Sequence, residues 1–192
     1  KVRYNGDDKL LDERGDAVMM SWEAPLMEAH ADALCETKGD VMNVGFGMGI
    51  IDGHIQAREP RSHTIVEAHP DVRAHMMRAG WDSKAGVRVE FGRWQDVLPR
   101  LVEEGRKFDA IYFDTYGEEY DDMRRFHAFL PKLLRAGGLY SYFNGMCPDN
   151  IFFHMVYNRV AEVELGALGL DVTFEMKSID TADAKIWEGV TR

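Results

Sequence analysis

Three glycines and an acidic residue further along the chain have the types and spacing needed to bind a nucleoside cofactor. Gly45, Gly47 and Gly49 follow the apolar run 41–44. Because glycine has no Cβ, the backbone can turn sharply there and approach a ligand closely. Free N–H groups at the start of the next helix face the same point. Glu67 ends a second apolar run about twenty residues later, the spacing at which an acid binds ribose hydroxyls in doubly wound α/β folds. The glycine turn together with Glu67 favours a nucleoside-binding site over an ordinary strand–turn–helix connection followed by a solvated glutamate.

Other side chains that could take part in binding or catalysis also follow apolar runs. Asp114 comes directly after the run 110–113, where a carboxylate could hold a cation or accept a proton. Aspartate is equally common there as a helix cap or turn residue, so position alone leaves both interpretations open. Trp94 lies where an adenine would sit, and it either contacts the base or packs as a core aromatic. The pair Trp22–Glu23 becomes functional only if the amino-terminal helix folds over the cleft.

Composition and charge exclude several classes of protein. The net charge of −10 argues against a nucleic-acid-binding surface. No run approaches the roughly 20 apolar residues that span a bilayer, so no membrane association is expected. The seven histidines show no ligand spacing, and we predict no metal site. Cys35 and Cys147 are expected to be free thiols of a reducing compartment, which favours a cytoplasmic location, with a nuclear one as a further option.

Strands and helices are predicted to alternate along most of the chain, which favours a parallel sheet covered by helices on both faces. The predicted strands are 41–46, 63–68, 87–92, 108–114 and 138–144. The predicted helices are 17–36, 48–58, 71–80, 94–104, 119–135 and 151–168. A late strand is expected at 171–180, and one more, antiparallel, could begin within 184–192. We expect one compact domain overall, with an amino-terminal arm and lid helix at 1–40 and the catalytic domain proper at 41–192. Both ends fall in mid-pattern, so a piece of a longer protein is expected.

Several motifs resemble the S-adenosylmethionine-dependent guanidino-group methyltransferases. They are Val-Gly-Phe-Gly-Met at 44–48 with Glu67, Gly-Arg-Trp-Gln-Asp at 92–96, and Phe-Asp-Thr-Tyr at 113–116. Two relatives compete, guanidinoacetate methyltransferase and the type IV protein arginine methyltransferase, which methylates the internal δ nitrogen of arginine residues. The strings 67–72, 92–96 and 142–145 look closer to the type IV enzyme.

The resemblance implies a Rossmann-like class I methyltransferase fold with a mostly parallel seven-stranded sheet and one reversed strand at the end. It implies that Glu67 holds the cofactor's ribose and that Glu23 and Asp114 bracket a guanidinium, Asp114 also as proton acceptor. The full set of implied cofactor-binding residues is Met19, Gly45, Gly47, Met48, Glu67, Ala68, Gly92, Trp94, Gln95 and Asp114. The implied substrate-binding residues are Trp22, Glu23, Tyr116 and Asn144.

The predicted activity is methylation of a guanidino nitrogen, first of all the δ nitrogen of arginine in a protein substrate, with S-adenosylhomocysteine as the other product. The alternatives are a small-molecule guanidinoacetate methyltransferase and a catalytically silent binding module. One departure concerns Asn43, which stands where many methyltransferases carry an acid before the glycine turn. Nothing in the sequence indicates an oligomeric state.

Overall fold

The structure is a computed structural model that describes residues 1–147, 150–179, 181 and 183–191. The strands within these residues are β1 (Arg3–Asn5), β2 (Lys9–Leu11), β3 (Ala17–Met20), β4 (Asp40–Val44), β5 (Ser62–Glu67), β6 (Val87–Phe91), β7 (Phe108–Phe113) and β8 (Leu134–Tyr142). The α-helices are α1 (Ala24–Leu34), α2 (Ile50–Ala57), α3 (Pro70–Arg78), α4 (Trp94–Glu103), α5 (Tyr120–His127), α6 (Leu130–Leu133) and α7 (Ile151–Ala167).

The main sheet contains five parallel strands in the order β6-β5-β4-β7-β8. The strand order reverses at β4, because β5 and β6 extend to one side of it and β7 and β8 to the other. In sheets of this kind the ligand cleft lies beyond the carboxyl ends of the strands at the reversal. The predicted parallel α/β architecture is therefore confirmed, and it directs attention to the residues that follow β4, β5 and β7.

Helices cover both faces of this sheet, as the unbroken apolar strands predicted. Val41 packs with α1 and α2, through residues such as Met27 and Ile55. Its neighbour Met42 belongs to a larger cluster with α4, α5 and α6 that includes Phe126. Adjacent strand residues point to opposite faces, so a strand covered on both sides is mostly apolar along its length. The exceptions in β4 and β5 include Asn43 and His63, which are buried.

The amino-terminal region differs from the prediction, because residues 17–20 form a strand and not the first turn of a helix. β3 pairs antiparallel with β2, which pairs antiparallel with β1. The helix begins only at Ala24, where Pro25 occupies the first turn, a position that tolerates a residue without a backbone N–H. The predicted arm is thus a small sheet, and its buried Leu10 and Met19 pack against Phe46.

The segment predicted as one helix over 119–135 is two helices, α5 and α6. Pro131 lies in the first turn of α6, and β8 already begins at Leu134. The predicted late strand is not found in residues 171–179, and Asp180 lies outside the described part of the chain. Near the predicted final strand, Ala184–Trp187 form a 3-10 helix. The seven-stranded count is therefore not confirmed; the main sheet has five strands within the described residues.

Two expectations from composition can be compared with the fold. Cys35 is buried and Cys147 is exposed, and both are free. Among the described helices, none combines the length and the apolar character needed to cross a bilayer.

Candidate active site

A cavity of about 950 Å³ opens at the carboxyl ends of β4, β5 and β7 and extends beneath β3. Its volume is at the upper end of the range of small-molecule sites. Most residues that the sequence singled out line this cavity: Met19, Trp22, Glu23, Gly45, Gly47, Glu67, Ala68, Gly92, Trp94, Gln95, Asp114 and Tyr116. Their convergence follows from topology, since the ends of parallel strands meet at one edge of a sheet.

Two predicted residues do not line the cavity. The Met48 side chain packs in the cluster around Phe46, and its backbone N–H points at the sulfur of Met19, 3.3 Å away. Asn144 donates from Nδ2 to Oδ1 of Asn158 on α7, at 2.6 Å. Only the backbone of Met48 therefore lies beside the site. The Asn144 side chain is hydrogen-bonded to a neighbouring helix.

The glycine turn at the end of β4 lies against both neighbouring strands, β5 and β7. The N–H of Gly45 donates to the carbonyl of Val66 (2.9 Å), and the N–H of Asp114 donates to the carbonyl of Val44 (3.0 Å). Gly45 has φ +98°, a left-handed conformation that favours glycine. A Cβ there would lie 1.9 Å from the carbonyl oxygen of Asp114. Only glycine fits this position without displacing backbone.

Replacing Gly45 with alanine should lower the free energy of unfolding by about 2–4 kcal/mol, because the new methyl group meets backbone and the φ angle is unfavourable. For a chain of this size, that corresponds to a fall of about 5–15 °C in the melting temperature, measurable by calorimetry. Gly53→Ala is the matched control, since Gly53 is helical and a Cβ there meets nothing within 4 Å. Melting temperatures of the two variants within about 2 °C of each other would contradict this account of the turn.

Glu67 lies across the glycine turn with only 7% of its surface exposed. Its Oε2 accepts from the N–H of Phe46 (2.9 Å), and its Oε1 accepts from the N–H of His69 (2.6 Å). A carboxylate can accept about four hydrogen bonds, so acceptor capacity is left for a ligand in the cavity. His69 itself caps α3, because its Nδ1 accepts from the N–H of Asp71.

A buried polar cluster lies directly beneath the turn and accounts for Asn43. The Asn43 amide donates to the carbonyl of Gly45 (2.9 Å) and to both carboxylate oxygens of Asp52 (2.9 and 3.0 Å). Asp52 also lies 3.1 Å from Nε2 of His63, and both side chains are fully buried. The amide nitrogen of Gln56 lies 3.1 Å from Nδ1 of His63, on the other side of the ring. Asn43 thus supports the shape of the turn from below.

Trp94 lines the cavity but is mainly a core residue, with 4% of its surface exposed. Its ring meets Phe113, Phe126 and Phe129 edge-on, at centroid distances of 6.3, 5.6 and 6.3 Å. The indole N–H donates to Oε1 of Glu118 at 2.8 Å. Of the two interpretations that the sequence left open, the core packing is observed; a contact with a base requires a ligand to be bound.

Glu118 is a cavity residue that the sequence analysis missed. Besides Trp94, it accepts from Nε2 of Gln95 (3.1 Å) and from the hydroxyl of Thr115 (2.5 Å). It lies in the loop before α5, four residues beyond Asp114, and no local pattern separates it from an ordinary solvated acid. The opposite end of the Gln95 amide, Oε1, is buried without a hydrogen-bond partner within the described residues. Gln95, in the first turn of α4, therefore presents a spare acceptor at the cavity wall.

Glu23 and Asp114 lie in the same cavity, and the charge of Asp114 affects the ionisation of Glu23. Burial raises the pKa of Glu23 to about 7, and the negative charge of Asp114 adds to this, while a hydrogen bond from the N–H of Met20 opposes it. Burial also raises the pKa of Asp114 to about 6, opposed by the hydroxyl of Tyr112. Neither carboxylate forms an ion pair with lysine or arginine in the described part of the chain. The site is therefore suited to a cation from outside.

The amino-terminal sheet closes the cavity on one side. The Tyr4 hydroxyl donates to the carbonyl of Gly47 at 2.8 Å, and the Tyr4 ring stacks on His75 at 4.0 Å between centroids. The hydroxyl of Tyr116, half exposed at the cavity edge, donates to Asp12 at 3.3 Å. These contacts attach the arm both to the glycine turn and to the loop after β7.

No group of three or more His, Cys, Asp and Glu side chains is arranged to hold a metal ion among the residues that the structure describes. The polar side chains that line the cavity include carboxylates, an amide, hydroxyls, indoles, the His69 imidazole and the Arg93 guanidinium.

The sequence is similar to known proteins over most of its length. A family model described as guanidinoacetate N-methyltransferase matches residues 1–182. The chain is 47% identical over 188 residues to a protein of Aspergillus oryzae named protein arginine N-methyltransferase 2, covering 97% of this chain and 45% of that protein. It is 42% identical over 203 residues to the protein of the same name from Yarrowia lipolytica, covering 100% of this chain and 43% of that protein. The chain spans less than half the length of these relatives.

Solved structures resemble the fold at much lower identity. The O-methyltransferase TomG from Streptomyces achromogenes, in complex with SAM, has a TM-score of 0.54 and 19% identity, covering 72% of this chain and 67% of that one. An O-methyltransferase family protein from Burkholderia thailandensis has a TM-score of 0.61 and 16% identity, covering 81% and 53%. At such identities the likeness concerns architecture alone, and it confirms the class I methyltransferase fold.

Proposed function

This chain belongs to the guanidinoacetate N-methyltransferase family, and from that premise we propose that it methylates a guanidino nitrogen, with S-adenosylmethionine as methyl donor. The observation that carries the proposal is the pair of buried carboxylates, Glu23 and Asp114, in one cavity with the glycine turn. A guanidinium is the cation that two such carboxylates can bind through several N–H groups at once.

The cavity has features that fit the cofactor. Glu67 offers acceptor capacity for ribose hydroxyls beside the turn, and the unpartnered Oε1 of Gln95 can accept from the amino group of an adenine. Gly47 allows the turn to pack closely against Met19, since a Cβ there would lie 3.0 Å from the Met19 sulfur. When bound, S-adenosylmethionine supplies an activated methyl group on a positively charged sulfur.

The protein's part in the reaction is to hold the guanidinium and to receive a proton. A guanidinium has no available lone pair, because its charge is delocalised and its pKa is above 12. We assign Glu23 the role of binding two of its N–H groups and fixing its orientation. With the cofactor bound, its activated methyl group would be the one that the reacting nitrogen takes up. The Asp114 carboxylate would accept the proton that this nitrogen loses.

We propose arginine in a protein as the substrate, at the internal δ nitrogen. Support comes from the fungal relatives, which are named protein arginine N-methyltransferase 2, and from the strings at 67–72, 92–96 and 142–145. A second candidate is guanidinoacetate, favoured by the description of the matching family model. A silent binding module is the least supported, because it would not need Glu23, Glu67 and Asp114 together. Residence in the cytoplasm or nucleus stays a prediction.

A methyl-transfer assay tests the proposal directly. Labelled S-adenosylmethionine is supplied with guanidinoacetate in one reaction and with an arginine-containing protein extract in another, followed by mass analysis of methylated arginine. Label on the δ nitrogen of protein arginine is expected. Label only in guanidinoacetate would establish the second candidate. Cofactor binding without transfer, in a full-length relative as well as in this chain, would overturn the proposal in favour of a silent module.

The rate of methyl transfer should rise with pH and level off at about pH 7. Both Glu23 and Asp114 must be ionised to bind the cation and accept its proton, and their pKa values are raised to about 7 and about 6. Log kcat/KM should therefore climb with a slope approaching two below pH 6 and flatten above pH 7. Measurement between pH 5 and 9 at saturating cofactor checks this. A flat profile from pH 5 to 7 would contradict the requirement for both carboxylates.

A further inference from the structure

The segment near the end of the described chain is fastened across the amino-terminal sheet. Lys9, in β2, is 8% exposed, and its ammonium donates to the carbonyls of Glu188 (2.6 Å) and Lys185 (3.3 Å). Buried ammonium groups need such partners, since an unsatisfied buried charge is strongly unfavourable. These two bonds hold the 3-10 helix Ala184–Trp187 next to β2.

A second attachment lies a few residues further along. The N–H of Thr191 donates to the carbonyl of Gly15 (2.9 Å), and its hydroxyl donates to the carbonyl of Arg14 (3.1 Å). Thr191 also forms an isolated parallel bridge with Asp16. Residues 185–191, which we term the C-terminal strap, are thus bound to the sheet at both ends.

The strap carries Trp187 into the cavity wall. Its indole N–H donates to the carbonyl of Thr181 (3.0 Å), and its ring lies 6.3 Å from that of Trp22, at an interplanar angle of 48°. Trp22 immediately precedes Glu23. The Nε1 atom of Trp22 is buried, and no acceptor is found for it within the described residues. Two indole rings and the unpartnered Trp22 Nε1 therefore belong to the same cavity as Glu23, the carboxylate assigned to the cation.

We propose that Trp187 and Trp22 form the recognition site for the positively charged side chain of the substrate, with Trp187 selecting cationic over neutral groups. This inference rests on the proposed guanidino methylation. Tryptophan is the strongest of the aromatic partners for a cation, and the attraction is largest in a site with little water. Arginine also stacks its planar guanidinium on aromatic rings. The free N–H of Trp22 suits a carbonyl oxygen of the same ligand.

The test separates recognition of charge from simple packing. Protein loaded with S-adenosylhomocysteine is titrated with a short arginine peptide and with the same peptide carrying citrulline, which is neutral and of similar shape. Binding is followed by calorimetry on the wild type and on Trp187→Leu, Trp187→Phe and the control Phe174→Ala, whose side chain is exposed. Leucine keeps an apolar side chain but has no aromatic ring to attract a cation. Phenylalanine has a ring that attracts a cation less strongly than tryptophan does.

We expect Trp187→Leu to weaken arginine-peptide binding by about tenfold and to leave citrulline binding nearly unchanged. The affinity of Trp187→Phe for the arginine peptide should lie between those of Trp187→Leu and the wild type. The affinity of Phe174→Ala should match that of the wild type. Equal losses for both peptides, an arginine affinity unchanged in Trp187→Leu, or a wild type that does not prefer arginine would each overturn the inference. If the proposed function itself is wrong, the wild type will transfer no label in the methyl-transfer assay, which is a separate measurement.

Discussion

Asp114→Asn is expected to leave cofactor binding almost unchanged and to reduce methyl transfer by about 10²- to 10⁴-fold, the range typical of a lost general base. Asparagine has nearly the shape of aspartate but can neither accept the proton nor neutralise a guanidinium. Single-turnover transfer of label measures the loss, and calorimetric titration with S-adenosylhomocysteine measures the cofactor affinity. Asp82→Asn, at an exposed position in a short 3-10 helix, is the control.

The same variant should be more stable than the wild type at neutral pH. Burial raises the pKa of Asp114 from its ordinary 3.8 to about 6, so between these values the folded state binds more protons than the unfolded state. The stability of the wild type therefore falls as pH rises through this window. The gain from Asp114→Asn should be present at pH 7 and absent at pH 4. Turnover within about threefold of wild type would contradict the catalytic role, whatever the stability.

Glu67→Ala is expected to weaken binding of the cofactor or its product by about 100-fold or more. The substitution removes the acceptor assigned to the ribose and also leaves the N–H groups of Phe46 and His69 without their partner. Hydrogen bonds to a charged group contribute about 1.5–3 kcal/mol each, so the loss of more than one is readily measured. Glu67→Gln retains one carbonyl acceptor, so its affinity for the cofactor should lie between those of the alanine variant and the wild type.

Calorimetry with S-adenosylhomocysteine, together with a melting temperature for each variant, separates binding from folding. Glu103→Ala, an exposed position at the end of α4, provides the control. If Glu67→Ala lowered the melting temperature but kept the wild-type cofactor affinity, Glu67 would be a support for the turn alone, and the assignment to the ribose would be wrong.

The sheet and much of the cavity were predictable because their signals are local. The run before Asp114 has no polar alternation, which is typical of a strand covered on both faces. Once such strands are parallel, their carboxyl ends must meet at one edge. Glu67 and Asp114 were therefore placed beside the glycine turn without any knowledge of tertiary contacts, as was Trp94.

The errors arose where distant residues decide the structure. Met19 has helical apolar spacing with Trp22 and Leu26, but pairing with β2 makes residues 17–20 a strand. Trp187 is an isolated aromatic in a short stretch of mixed composition, and its segment is held in place by Lys9, far away in the sequence. Glu118 is also indistinguishable locally from a solvated acid. In each case the determining contact is non-local, and no periodicity reports it.

The buried cluster beneath the turn restricts how this chain can diverge. An acid at position 43, the residue usual in many methyltransferases, would place a second carboxylate against Asp52 in a fully buried site. Two adjacent buried carboxylates cannot both ionise without a large free-energy cost. We therefore expect the residues at 43 and 52 to be coupled: an acid introduced at 43 should destabilise the fold less when Asp52 is replaced by a neutral residue. Homologues should carry a single negative charge across the two positions.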